Sequence, residues 1–267
     1  MPFSINTLQA LVLRYFYLYT RHPVRLVELV FWPLVDLLVW GFLATYLQRH
    51  GSGEFASSVS FLIGGMILWD VLFRSQQGVA ISFLEDVWTR NLLNLFVAPV
   101  RTVEYVGATC VVGVLRVAIT LIILALVAAL AYQFKLTSMG ISLLPFLGNL
   151  ILFGWFLGMI STALIMRFGQ AAESLAWAVP FFIQPLAAVF YPVAVLPSWL
   201  QPIAMSLPCT PVFEGMRSVL SGQPMPWGNF QHALALNLVW GTAAAGFFAA
   251  NLRHVRKAGL LVKVATQ

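Results

Sequence analysis

The chain is 267 residues long, 60% apolar and only 9% charged. A soluble globule of that length could not cover its surface with so few charges, against about 25% in ordinary soluble domains. The net charge of +6 is dispersed along the chain rather than gathered in one patch, which points away from nucleic acid and towards anionic lipid headgroups.

Residues 4–21 come first. Ile5, Leu8, Val12, Tyr15, Phe16 and Tyr19 recur at helical spacing, with Thr7, Arg14 and Arg21 on the other side. That pattern predicts an amphipathic helix in the membrane interface; the alternative is an ordinary lead-in to the first span. Arg14 and Arg21 interrupt the apolar run that a cleaved signal peptide needs, so none is expected.

Crossing a bilayer takes about 20 apolar residues in a helix. Six stretches qualify, 24–47, 59–81, 103–132, 143–166, 175–191 and 230–251. An all-α integral membrane fold with six transmembrane helices follows, since lipid tolerates no open sheet edge. With both termini inside, the cytoplasmic side receives Arg14, Arg21, Arg25, Arg90, Arg101, Arg167, Arg253, Arg256, Lys257 and Lys263. The outer side receives Arg49, Lys135 and Arg217, so the excess of positive charge sets both ends in the cytoplasm.

Within the first three spans lie Asp36, Asp70, Arg74 and Arg116. Counted from Arg25 and Ile81, both acids sit about 16 Å deep at 1.5 Å per residue. Ionisable groups at such depth are rarely left unpaired, so the four are expected to form one buried, neutralised cluster. Two roles compete for it, a structural lock and an ion pathway.

Between spans two and three, residues 83–96 carry Leu84, Trp88, Leu92 and Leu95 at steps of three and four, with Glu85, Asp86 and Arg90 as the polar face. A cytoplasmic helix is predicted, its stripe seated either in a partner's groove or on the bilayer surface. In span four, Gly154 and Gly158 with Ser161 and Thr162 predict close helix packing. Pro180 and Pro185 permit a kink in span five. Residues 192–228 are apolar and proline-rich, and their stretch 195–207 is too short to cross, so a re-entrant or interfacial segment on the outer side is expected, the alternative being a flexible exposed loop.

The chain has no G-x-x-x-x-G-K-[ST] loop, no metal-spaced Cys/His cluster and no nucleophile in hydrolase context. Cys110 and Cys209 are expected on opposite sides of the membrane, which excludes a disulfide between them.

Three stretches resemble the type-2 class of ATP-binding-cassette permeases, exporters of polysaccharides, lipo-oligosaccharides, lipids and drugs. Leu84-Glu85-Asp86 through Asn91-Leu92-Leu93 to Ala98-Pro99-Val100 and Glu104 is similar to that family's coupling helix and hinge. Phe190-Tyr191-Pro192 with Leu196-Pro197-Ser198-Trp199-Leu200, and Leu207-Pro208-Cys209-Thr210-Pro211 leading to Arg217 and Gly222, are similar to the segment that closes its outer side.

The resemblance covers essentially all of residues 1–267, as one permease domain. It implies a non-catalytic membrane subunit, multi-pass in the bacterial inner membrane, that pairs with a second copy of itself and docks two ABC-type ATPase subunits. ATP and Mg²⁺ would bind those partners and no cofactor this chain. Glu85, Asp86, Trp88, Arg90, Leu92 and Leu95 would be the coupling residues, and Pro185, Tyr191, Pro192, Pro197 and Trp199 the outer gate. A cargo that is amphipathic, lipid-linked or polysaccharide-like would leave the cytoplasm or inner leaflet. The competing readings are a stand-alone channel or secondary transporter using the buried charges, and an intramembrane enzyme.

Overall fold

A computed structural model describes residues 3–50 and 56–258; Lys263 of the charge count lies outside the described residues. The described residues form ten α-helices, three short 3₁₀ helices and no strand; the α-helices are α1 (Ile5–Thr20), α2 (Pro23–His50), α3 (Ala56–Trp88), α4 (Leu92–Val97), α5 (Thr102–Tyr132), α6 (Leu143–Phe168), α7 (Leu175–Leu186), α8 (Gln201–Met205), α9 (Cys209–Leu220) and α10 (Trp227–Lys257). The protein is a multi-pass membrane bundle. Four segments, α2, α5, Leu136–Phe168 and α10, are long and apolar enough to cross a bilayer.

The other two expected crossings differ from these four. α3 has ample length at 33 residues but carries Asp70, Arg74, Glu85 and Asp86. It is buried almost throughout, from Ile63 to Val87, because α2, α5 and α6 pack around it. α7 has only 12 residues, with Pro180 and Pro185 inside, and covers about 18 Å.

Small residues let the central helices approach. A Cβ on Gly154 would fall 2.6 Å from the Leu72 carbonyl oxygen, and one on Gly158 would fall 2.7 Å from Val79 Cβ. The ridge on α6 therefore packs on α3 as its spacing suggested. A second contact had no such signal: a Cβ on Gly78 of α3 would lie 2.2 Å from the Gly113 Cα of α5. Asn237 of α10 ties to α6 by donating to Asn149 Oδ1 (2.9 Å) and its carbonyl (3.2 Å).

Apolar side chains gather at both ends of the bundle. One cluster joins Met139, Phe146, Ala187, Val189, Phe213 and Met216. The other joins Phe83, Leu84, Leu92, Ile165, Met166, Ala172 and Leu252.

Residues 192–220, where a re-entrant segment is expected, form the turn at Pro192–Leu196, then α8 and α9. Ala188 adopts a left-handed φ of 51° beyond α7, a conformation uncommon outside glycine. Arg217 of α9 holds that corner, donating to the carbonyls of Ala188 (3.0 Å) and Val189 (3.3 Å) and pairing with Glu214 (2.9 Å). Glu214 in turn accepts the Val193 N–H at 2.7 Å. Arg217 is thus a buried brace rather than a loop charge.

Candidate functional site

The expected helix over 83–96 is two helices with a corner. α3 runs unbroken to Trp88 and stops where Arg90 turns left-handed at φ 54°. Asn91 N–H then donates to the Asp86 carbonyl and Arg90 N–H to the Val87 carbonyl, the paired closing bonds of a Schellman end. α4 follows, and Pro99 lies in the extended link to α5. Trp88 and Arg90 are exposed at this corner and Leu95 is half-buried. Trp88 Nε1 donates to Glu173 at 3.2 Å.

Leu84 and Leu92 do not belong to an outward stripe, since both are wholly buried against α6 and α10. Glu85 and Asp86 do not form a surface polar face either. Their carboxylates are buried and bound within the chain. Asp86 accepts from Arg14, from the Tyr15 hydroxyl (2.7 Å) and from the Tyr105 hydroxyl (2.9 Å). Glu85 accepts from Tyr19 (2.5 Å) and lies 3.4 Å from Arg25 and 3.8 Å from Arg116.

This network fastens α1 to the bundle. Ser4 N–H and Arg101 N–H both donate to Glu104, at 2.7 and 2.9 Å, so one carboxylate serves the starts of α1 and α5. Leu11 and Tyr15 are buried, whereas Ile5, Leu13, Phe16 and Tyr17 face outward. Arg14, expected on the polar side, turns inward to Asp86. Burial, followed by the Asp86 charge, pushes the Tyr15 phenol well above its ordinary range, so it stays a neutral donor.

The four-membered charge cluster does not form. Asp70 and Arg74 pair within α3 at 3.1 Å, and Arg74 also donates to Gln77 at 2.7 Å. Arg116 belongs to the other network. It donates to Tyr19 and to the Gln77 carbonyl (3.3 Å) and lies over the Tyr19 ring. Asp36 is exposed on α2, within electrostatic reach of Asp70 and Arg74 but bonded to neither.

Between α2, α3 and α7 lies a cavity of about 280 Å³. Arg25, Glu28, Arg74, Gln77, Glu85 and Arg116 supply its polar lining, and Trp32, Trp88 and Trp177 its aromatic walls. Arg25 Nη1, Arg116 Nε and Glu85 Oε2 are buried there without hydrogen-bond partners.

The expected gate residues split into two groups. Tyr191 donates its hydroxyl to the Pro185 carbonyl, next to Phe190 stacked on Trp40. Pro192 opens the following turn, and Pro197 and Trp199 are exposed ahead of α8.

Sequence reasoning missed Arg14, Tyr15, Tyr19 and Tyr105 as partners of the two acids. The one signal was Tyr15 and Tyr19, four residues apart on the inward face of α1.

Comparison with curated proteins gives no match. A family model for ABC-2 type transporters matches residues 6–221. That span takes in α1, the α3–α4 corner, the central helices and α9, and with it the chain belongs to the ABC-2 type transporter family, as a permease component.

Proposed function

We propose that the chain is the permease subunit of an ATP-driven exporter, working as a homodimer with two separate ATPase subunits in the bacterial inner membrane. It crosses six times with both termini inside and moves an amphipathic, lipid-linked or polysaccharide-type cargo outward. ATP and Mg²⁺ belong to the partner.

The observation that carries this reading is the α3–α4 corner, where Trp88, Arg90 and Leu95 reach the surface while the residues behind them are locked into the bundle. A rigid corner on a long buried helix is what an ATPase needs in order to push a membrane bundle. Asp36 supports the second copy. It is exposed about 20 Å into α2, counted from Pro23, among the exposed Trp32, Val39, Phe42 and Leu43. A carboxylate facing lipid at that depth costs several kcal/mol, so a protein surface covers it, and the same face on a second copy is available.

The test is co-expression with an ABC-type ATPase, sought first in the adjacent reading frames. Trp88→Ala with Leu95→Ala is expected to weaken ATPase co-purification about thirtyfold, because truncating a central interface anchor costs about 2 kcal/mol. Unchanged co-purification would place the docking site elsewhere. Transport by the permease alone in sealed vesicles would favour a secondary transporter.

A further inference from the structure

The cavity between α2, α3 and α7 is charge-balanced yet polar and unsatisfied. Arg25, Arg74 and Arg116 face Glu28 and Glu85, with Asp70 paired to Arg74. Three positive groups therefore meet three negative ones. A plain anion gains nothing from such a box, because each added negative charge meets a site already neutral. A ligand carrying one charge of each sign does gain.

The unused bonding capacity divides in the same way. Arg116 Nε is a buried donor without a hydrogen-bond partner on a side chain more than nine-tenths buried, and Arg25 Nη1 makes no hydrogen bond, only a long 3.4 Å ion pair with Glu85. Glu85 Oε2 is a buried acceptor without a partner. Glu28 is exposed and makes no ion pair among the described residues. Unmade bonds on buried polar groups are costly, so a group that fills them is held. Trp32, Trp88 and Trp177 supply faces that attract a cation.

We infer that this cavity binds the headgroup of an aminophospholipid from the inner leaflet, with the phosphate on Arg25 and Arg116 and the primary ammonium on Glu28 and Glu85 between the tryptophans. The volume of about 280 Å³ corresponds to about nine waters, the scale of a phosphoethanolamine group. A primary ammonium fits better than a quaternary one, because only the former can donate hydrogen bonds to the unused carboxylate oxygens. The choice of leaflet rests on the proposed orientation, which puts the end of the cavity marked by Arg25 and Glu85 at the inner surface.

Native mass spectrometry of the full chain in detergent, titrated with phosphatidylethanolamine, phosphatidylcholine and phosphatidylglycerol, tests it. Phosphatidylethanolamine is expected to bind about tenfold more tightly than the other two, as a charge-assisted hydrogen bond worth about 1.5 kcal/mol predicts. Glu28→Gln is expected to abolish that preference, and Arg25→Gln to weaken all three lipids. Both side chains reach the surface, so elution of either variant as folded protein is expected. Equal binding of the three lipids, or a preference untouched by Glu28→Gln, overturns the assignment. Phosphatidylglycerol binding as tightly as phosphatidylethanolamine would make the cavity an ordinary anion site and overturn it equally. No ATPase is present in this experiment, so its failure leaves the exporter reading standing. Loss of the exporter reading would likewise leave a measured lipid preference intact.

Discussion

Two neighbouring carboxylates, Glu85 and Asp86, organise one end of the bundle, and arginines reach both from other helices. Burying a charge is tolerated only while its partners remain, and removing one partner of such a pair commonly costs about 3–5 kcal/mol. Arg116→Leu is therefore expected to reduce the yield of folded protein sharply. Its rescue partner is Glu85, which it faces, and not Asp36 or Asp70, which it does not. Arg116→Leu with Glu85→Gln is expected to recover most of the folded yield, because both charged members of that pair are then gone, while Arg116→Leu with Asp36→Asn recovers none. A double-mutant cycle on thermal midpoints in detergent reads the coupling directly. Coupling of Arg116 to Asp36 in place of Glu85 would dissolve the network described above. The residue types in this site were legible in the sequence; the pairing was not. Asp86 takes Arg14 and Tyr15 from 72 and 71 positions away, and no local spacing announces a bond of that range.

Among the elements, α1, α5, α6 and α10 have nearly the ends that hydrophobic length and helical spacing predict, because those features are local. α3 departs from the expected span chiefly at one end, running to Trp88. Its apolar run stops at Ile81, and Glu85 and Asp86 look like residues of a water-facing helix until α1 supplies them with cations and hydroxyls. Packing faces were legible where small residues recur within one helix, as at Gly154 and Gly158. They were not legible where one glycine on each of two helices makes the contact, as at Gly78 and Gly113. Substitution separates these cases. Gly78→Ala and Gly154→Ala put a Cβ against neighbouring backbone, and overpacking of that kind costs about 1–3 kcal/mol. Gly148 lies on the same α6 with nothing within 4 Å of a new Cβ. Gly148→Ala is expected to be neutral or to stabilise by up to about 1 kcal/mol, the ordinary helix preference for alanine. Thermal unfolding of the three variants in detergent measures the order, and a loss at Gly148→Ala equal to the others would mean that the α3 contacts are not what limits stability.

For the whole molecule, α7 decides the topology. From the α3–α4 corner to the segment ahead of α8 the chain passes through α5, α6 and α7. If α7 crosses, these two points lie on opposite sides; if it only dips in and returns, they lie on the same side. Its 12 residues cover about 18 Å, short of a hydrocarbon core of about 30 Å. The packing on either side of it favours the proposed crossing. Ala172 and Ala176 belong to the cluster around Leu92 at one end, while Ala187 and Val189 join Met139 and Met216 at the other. The residues after α7, braced by Arg217, complete the distance with backbone that is buried in protein, where non-helical chain at membrane depth is tolerated. Three exposed positions decide it: Thr89 at the corner, Ser138 between α5 and α6, and Ser198 ahead of α8. With Cys110→Ala and Cys209→Ala as background, single Thr89→Cys, Ser138→Cys and Ser198→Cys variants are treated in sealed cells with an impermeant thiol reagent. Ser138→Cys and Ser198→Cys are expected to label from outside, and Thr89→Cys only after lysis. Labelling of Thr89→Cys alone would invert the orientation and move the proposed ATPase dock to the wrong face. Labelling of Ser138→Cys without Ser198→Cys would make α7 a re-entrant helix, and α9 and its arginine brace would then stand on the cytoplasmic side.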